Sequence, residues 1–389
     1  MDGLPLLPTT FVGSYPRPSW FTHQLAGRDI WDAFKQRAHQ EAFEDAVRTT
    51  LKDQELAGLD VLTDGQMWFD DYVGGIGSFV WYWFERIPGF EPLKRQHPQV
   101  LAAPGGTAAP AYEADRWLEW GASAVVGEVR RGPLHMADLW QIARRNTDRP
   151  VKMCVGAGPI NLGFHVHHQY YADQRELAYA LAPIFNAELR ELAEAGCRYI
   201  QLDDLGAWLP LITGDLADAR WVVDVVNRTV EGVEAQISWH FCFGNSWGNP
   251  TPNVVFGRGD YRALMEELYA ANVHEFALDC AIRDMRDVES LIDLPPDKRV
   301  ALGVIDVRTT WVETPGMVAD RIRRALDVVP PEQLSLTTDC GMKHLPRFNA
   351  FGKLKALALG AAQVRAELAR AAPEEPSLTG DATESASAR

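Results

Sequence analysis

Residues Glu176–Asp204 read ELAYALAPIFNAELRELAEAGCRYIQLDD. Glu176–Ala195 follows an amphipathic helical pattern, and Tyr199–Asp203 is a short apolar run that ends in carboxylates. The same alternation continues outward on both sides. Strand-like runs stand at Thr10–Ser14, Asp60–Thr63 and Val151–Val155 before it, and at Ile237–Phe243, Glu275–Asp279, Val300–Ile305 and Leu334–Asp339 after it. Helical patterns such as Tyr261–Ala271 and Thr314–Val328 lie between them. Strands alternating with helices at this spacing predict parallel βαβ units, and eight such runs suit a closed (β/α)₈ barrel of the TIM type. An open doubly wound sheet is the rival, but no G-x-G-x-x-G follows the first run. Ser123–Val129, preceded by Arg116–Trp120, is read as an extra β-hairpin packed on the barrel. Glu91–Asp115, rich in Pro, Gly and Ala, is expected to be a long loop. Residues 1–370 are taken as one barrel domain, and 371–389, rich in Pro, Glu, Ser, Thr and Ala, as a disordered tail.

The 389 residues are 47% hydrophobic, enough for a large core. A formal net charge of -15 and a pI near 5.1 make a nucleic-acid partner a poor fit. The N-terminal MDGLPLLPTT has neither a basic segment nor a long apolar run, so no signal peptide is expected, and no stretch suits a membrane span. The five cysteines, Cys154, Cys197, Cys242, Cys280 and Cys340, are too few and too scattered for a disulfide framework. They fit a reducing, cytoplasmic compartment in which thiols can bind metal. The oligomeric state is not read from the sequence.

The sharpest chemical signal is Trp239-His240-Phe241-Cys242-Phe243. Side chains alternate along a strand, so His240 and Cys242 face the same way, and imidazole and thiolate are preferred zinc ligands. Thr338-Asp339-Cys340-Gly341 places another cysteine at the end of the last strand. Three such ligands plus one exchangeable position are the pattern of catalytic zinc. Asp279, closing Phe276-Ala277-Leu278-Asp279-Cys280, is the candidate fourth ligand, and Glu275, at that strand's start, the weaker rival. Cys154, Cys197 and Cys280 are assigned to packing. Asp203 and Asp204 place charge at the barrel mouth, with a helix N-cap as the alternative role.

These residues, in this order, resemble the cobalamin-independent methionine synthase catalytic domain and its stand-alone relatives. The matches include Thr10-Phe11-Val12-Gly13-Ser14, Asp64-Gly65-Gln66, Gly127-Glu128-Val129-Arg130-Arg131 and Gln201-Leu202-Asp203-Asp204. They continue with His240-Phe241-Cys242, Gly303-Val304-Ile305-Asp306 and Asp339-Cys340-Gly341-Met342-Lys343, spanning Thr9 to about Arg365. The resemblance implies zinc (Zn2+) held by His240, Cys242, Cys340 and a carboxylate, here Asp279 where the family usually has Glu. It implies a thiol acceptor, homocysteine in the synthases and coenzyme M in epoxyalkane transferases, with Asp203 near the homocysteine amine and Ser14 near its carboxylate. Two positions depart from the pattern: Gln66 stands where the synthases carry a Glu that also contacts the amine, and Asp204-Leu205 where Glu-Pro is usual.

The expected reaction is attack of a metal-bound thiolate on an electrophilic carbon, a methyl-folate methyl or an epoxide. Asp203, Asp204 or a water would supply the leaving atom's proton. Arg130 and Arg131 are candidates to grip an anionic donor tail or a sulfonate, with ordinary surface arginines as the alternative; the same holds for Lys343 and Arg347. A methionine-synthase-like methyltransferase is the first reading and an epoxyalkane–coenzyme M transferase the second. A non-catalytic thiol- or metal-binding protein is the third.

Overall fold

The computed structural model describes residues 3–21, 31, 34–69, 78–91, 123–164, 166–204, 215–241 and 262–371. Its centre is a curled parallel sheet of seven strands: β1 (Leu62–Thr63), β3 (Val151–Gly156), β5 (Tyr199–Asp203), β6 (Gln236–Phe241), β7 (Glu275–Leu278), β8 (Arg299–Ile305) and β9 (Leu334–Thr338), in that spatial order. Strand β3 is buried along its whole length, as expected of a parallel sheet covered by helices on its outer face.

The first expected run, Thr10–Ser14, is not an extended strand; a single bridge at Thr9 does its work. Thr10 N donates to Leu336 O (2.9 Å) and Leu336 N to Pro8 O (2.8 Å) on the β9 side. Thr9 O accepts from Asp60 N (3.1 Å) and Val61 N (3.0 Å), at the entry to β1. The chain at Thr9 therefore spans the gap between the first and last strands of the sheet. Asp60 fixes this closure by accepting from Thr9 N (2.8 Å) and Thr9 Oγ1 (2.7 Å). Arg365 adds its guanidinium to Asp60 and to the carbonyls of Leu6 and Leu7, tying the last helix to the first stave.

The helices are α1 (Arg37–Ala57), α2 (Ser78–Phe84), α3 (Met136–Arg144), α4 (Pro159–Phe164), α5 (Gln174–Glu194), α6 (Leu216–Val230), α7 (Arg262–Leu268), α8 (Pro315–Leu326) and α9 (Arg347–Ala371). Their boundaries follow from local chemistry. Asp173 caps α5 by accepting from Arg175 N (2.9 Å) and Glu176 N (3.0 Å). Leu177, Leu181, Phe185, Leu189 and Leu192, three or four residues apart, bury one stripe of it. Thr314 caps α8 ahead of Pro315, whose missing N–H suits the first helical position. None of the helices among the described residues is long and apolar enough to cross a membrane.

The accessory hairpin needs correction. Strand β2 (Ser123–Val125) pairs in parallel with β4 (Val166–His168), and Val125 also bridges Phe90 in antiparallel fashion. Both edges of this short strand are thus taken by segments far away in sequence. The expected hairpin partner, Arg116–Trp120, lies outside the described residues, as do residues 92–115 of the expected loop and 372–389 of the expected tail.

Candidate functional site

The chain leaves each strand at one rim of the barrel, and the candidate residues gather there. Asp203 ends β5, His240 is the next-to-last residue of β6, Asp279 directly follows β7, and Cys340 lies two residues past β9. Cys242 lies outside the described residues. Glu275 sits at the opposite rim, where Ser335 Oγ donates to it at 2.7 Å.

On one side of the mouth the polar groups satisfy each other. Gly65 (φ 72°) and Gln66 (φ 48°) turn the chain sharply after β1. The left-handed conformation costs a non-glycine residue roughly 1 kcal/mol. Asp64 Oδ1 offsets that by accepting from Gln66 N (2.8 Å), and Arg17 donates to the carbonyls of Tyr15 (2.8 Å) and Phe69 (3.1 Å) around the turn. Gln66 Nε2 then points inward, donating to Cys154 O (3.0 Å) and Asp203 Oδ2 (3.1 Å). Asp203 Oδ1 accepts from Gln201 Nε2 (2.5 Å), and Gln201 Oε1 accepts from Lys152 Nζ (2.6 Å). Burial raises the Asp203 carboxyl to about 6, with Gln201, Lys152 and Gln66 pulling the other way. Burial likewise pushes Asp64 up to about 7, against the Gln66 N–H and the Arg17 charge. Cys154 forms the wall behind Gln66; at Gly13 (φ +57°) an added Cβ would stand 2.8 Å from both Cys154 Cβ and Gln66 Cδ.

The other side differs. His240 Nδ1 lies 3.2 Å from Ala277 O, which fixes the proton there. Nε2 is then the lone-pair nitrogen, and it is buried with no hydrogen-bond partner among the described residues. Burial, with the Lys152 charge adding to it, depresses the imidazole to about 3, so it stays neutral. A neutral imidazole anchored through its other nitrogen is the ordinary form of a metal-binding histidine.

Asp339, just before Cys340, joins the strand ends on this side. Its carboxylate accepts from the backbone N–H of Cys280 (3.0 Å), Ala281 (3.0 Å) and Ile282 (2.7 Å), the residues that follow Asp279. It crosses Gly303 of β8 so closely that a side chain there would overlap it. Gly341 packs equally tightly on the Ser14 hydroxyl, and Met342 N donates to Ser14 O (2.7 Å), so Ser14 borders Cys340. Among the described residues no three His, Cys, Asp or Glu converge closely enough to hold a metal ion.

Several expected residues have protein partners of their own. The Asp204 carboxylate accepts from Ile160 N (3.0 Å) and Asn161 N (2.8 Å), so the helix-cap alternative describes its position at the start of α4. Arg131, a candidate anion grip, forms ion pairs with Glu188 and Glu191 of α5, both at 2.5 Å. Arg347 is held by Asp53 in a two-pronged pair at 2.7 and 2.8 Å. Arg130 is exposed. Lys343 stays near the mouth, 5.0 Å from the centre of the Phe69 ring. The sequence reading gave Lys152, Gln201 and Asp339 no role. A signal for two of them existed: Gln201 and Asp203 are two apart on β5 and share a face, and Lys152 is a charge inside the apolar run of β3.

Comparison with known proteins agrees with this geometry. Residues 114–363 match the family model described as the cobalamin-independent synthase catalytic domain. A methionine synthase from Sulfurisphaera tokodaii is 30% identical over 375 residues, covering 95% of this chain and 95% of that protein. A 2-hydroxypropyl-CoM lyase from Xanthobacter autotrophicus is 32% identical over 390 residues, covering 94% and 96%. Among solved structures, a B12-independent methionine synthase from Shewanella sp. W3-18-1, in complex with selenomethionine, superposes with a TM-score of 0.72 at 28% identity, covering 94% of this chain and 99% of that one. With well over half of its length under one family model and relatives named for both activities aligned nearly end to end, this chain belongs to the cobalamin-independent synthase family.

Proposed function

We propose that this protein is a zinc-dependent alkyltransferase that moves a methyl group from a methyl-tetrahydrofolate-type donor to a homocysteine-like thiol. The observation that carries the reading is the buried Nε2 of His240 at the barrel mouth, which has no hydrogen-bond partner among the described residues. A buried nitrogen lone pair without a donor is costly unless something binds it. His240, Cys340, Asp279 and Cys242 would hold the ion, three of them brought to one rim by β6, β7 and β9. Zinc bound there supplies the charge that keeps a coordinated thiol deprotonated at neutral pH, against an ordinary thiol pKa of about 8.5.

The chain's own residues do the rest. Asp203, ionised above about pH 6, offers a carboxylate for a cationic group on the acceptor, and Ser14 offers a hydroxyl beside Cys340. Asp64, near 7, retains its proton on a substantial fraction of molecules at neutral pH. Thiol chemistry of this kind suits a reducing cytoplasm, and Cys154, Cys197, Cys280 and Cys340 form no disulfide among the described residues.

One observation favours a second acceptor. Gln66 already donates to Asp203 Oδ2, where a substrate ammonium would otherwise bind. An amine-free thiol, and with it alkyl transfer of the 2-hydroxyalkyl-coenzyme M type, suits this arrangement. Metal analysis tests the main reading: purified protein should carry one zinc per chain, and His240→Ala should lose it. Full zinc in His240→Ala would overturn the assignment.

A further inference from the structure

A buried ammonium inside the barrel, Lys152, has a single hydrogen-bond acceptor among the described residues, Gln201 Oε1 at 2.6 Å. It is 6% exposed, so water does little to solvate it. Burying a charge against a neutral amide is expensive, and a hydrophobic side chain of similar length would often be neutral or better for stability. The ammonium therefore calls for an explanation beyond packing.

Direction supplies one. An ammonium donates and never accepts, so Gln201 must turn its oxygen to Lys152. Its NH₂ is then forced toward Asp203, which it meets at 2.5 Å. The carboxylate accepts there on Oδ1 and on Oδ2 from Gln66 at 3.1 Å. The second N–H of Gln66 goes to Cys154 O at 3.0 Å, so Gln66 has only its oxygen left to offer. With a neutral, non-donating side chain at 152, the Gln201 oxygen would lose its donor and Asp203 alone would be left to orient the amide.

We propose that Lys152 is a positioning residue of the thiol site: through the Gln201–Asp203–Gln66 chain it fixes which oxygen atoms the mouth presents to the acceptor. This rests on the proposed thiol chemistry, and the test separates the two. Lys152→Met, Lys152→Arg and the double variant Lys152→Met/Gln201→Met are compared with wild type in the zinc-loaded enzyme. The readouts are zinc content, melting temperature, and kcat and KM for homocysteine and for coenzyme M.

Zinc content should stay at one per chain in every variant, since Lys152 is not a ligand. Lys152→Met should raise KM for the preferred thiol about tenfold, the scale of one charge-assisted hydrogen bond, with a much smaller change in kcat. Its melting temperature should hold. Lys152→Arg, another donor-only cation, should restore most of the affinity. If Lys152→Met does not fold, the double variant, which removes the Gln201 oxygen together with the ammonium and leaves Asp203 held by Gln66 alone, should show the same KM defect. Wild-type KM in Lys152→Met or in the double variant would overturn the inference while leaving the thiol chemistry intact. A wild-type enzyme that binds neither thiol would overturn the thiol reading and this inference with it.

Discussion

The two halves of the barrel mouth solve the same problem in opposite ways. On the β1, β3 and β5 side, Gln66, Asp203, Gln201 and Lys152 satisfy one another in an unbroken chain. On the β6, β7 and β9 side, a buried imidazole nitrogen has no partner among the described residues, while Asp339 pins the surrounding backbone. One side is complete on its own, and the other is rigid around an unmet group. A rigid backbone around a lone-pair nitrogen is what a preorganised ligand site requires.

The contrast fails most visibly if Asp339 is not a clamp. Asp339→Ala would strand two buried N–H groups and a half-buried third, and the expected loss is on the order of 3–5 kcal/mol. Gly303→Ala, which drives a methyl group into the same carboxylate, should cost about 1–3 kcal/mol. Denaturant unfolding checks both, and two wild-type stabilities would mean the β7 and β9 ends are held by something else.

The self-satisfied side makes a pH prediction of similar size. Burial raises the Asp203 carboxyl from 3.8 to about 6, so the folded state binds this proton more tightly than the unfolded chain. The group's contribution to stability is therefore fully present below about pH 4 and is lost as pH rises through about 6. The loss should be on the order of 3 kcal/mol. Comparing unfolding free energies of wild type and Asp203→Asn across pH 4–7 isolates it. Curves that stay parallel would show that Asp203 titrates as an ordinary carboxylate.

Gln66→Glu sharpens the contrast from the substrate's side. It would set two carboxylates side by side at the Asp203–Gln66 contact, with room for a cation between them. Binding preference should move toward homocysteine over coenzyme M by about tenfold to a hundredfold. An unchanged ratio in competition assays would remove Gln66 from the acceptor pocket. The smallest effect belongs to Asp204→Ala, which uncaps α4 and should cost about 1–2 kcal/mol while leaving zinc content unchanged. Loss of zinc in that variant would instead give Asp204 a place in the site.

Much of the fold was legible because parallel strands covered on both faces read as plain apolar runs, as at Val151–Val155 and Val300–Ile305. The closing stave was legible only as a run, since one bridge at Thr9 replaces a strand and its pairing depends on Leu336 and Asp60. At the site, alternation along a strand was enough to put Asp203 and His240 at one rim. What the sequence could not carry is which distant partner claims a charge. Asp204 caps a helix that begins 45 residues earlier, and Arg131 is taken by Glu188, 57 residues away. Asp339 stands beside Cys340 with nothing local to mark its role, because its partners lie at another strand's exit.

The central claim is that the unmet side of the mouth holds a zinc ion that binds a thiol. Zinc-edge X-ray absorption of the loaded enzyme, with and without thiol, tests it most directly. The account predicts a shell containing nitrogen and sulfur that gains one sulfur neighbour, at about 2.3 Å, when the acceptor is added. A protein that takes up no zinc, or a shell that does not change with either homocysteine or coenzyme M, would contradict it.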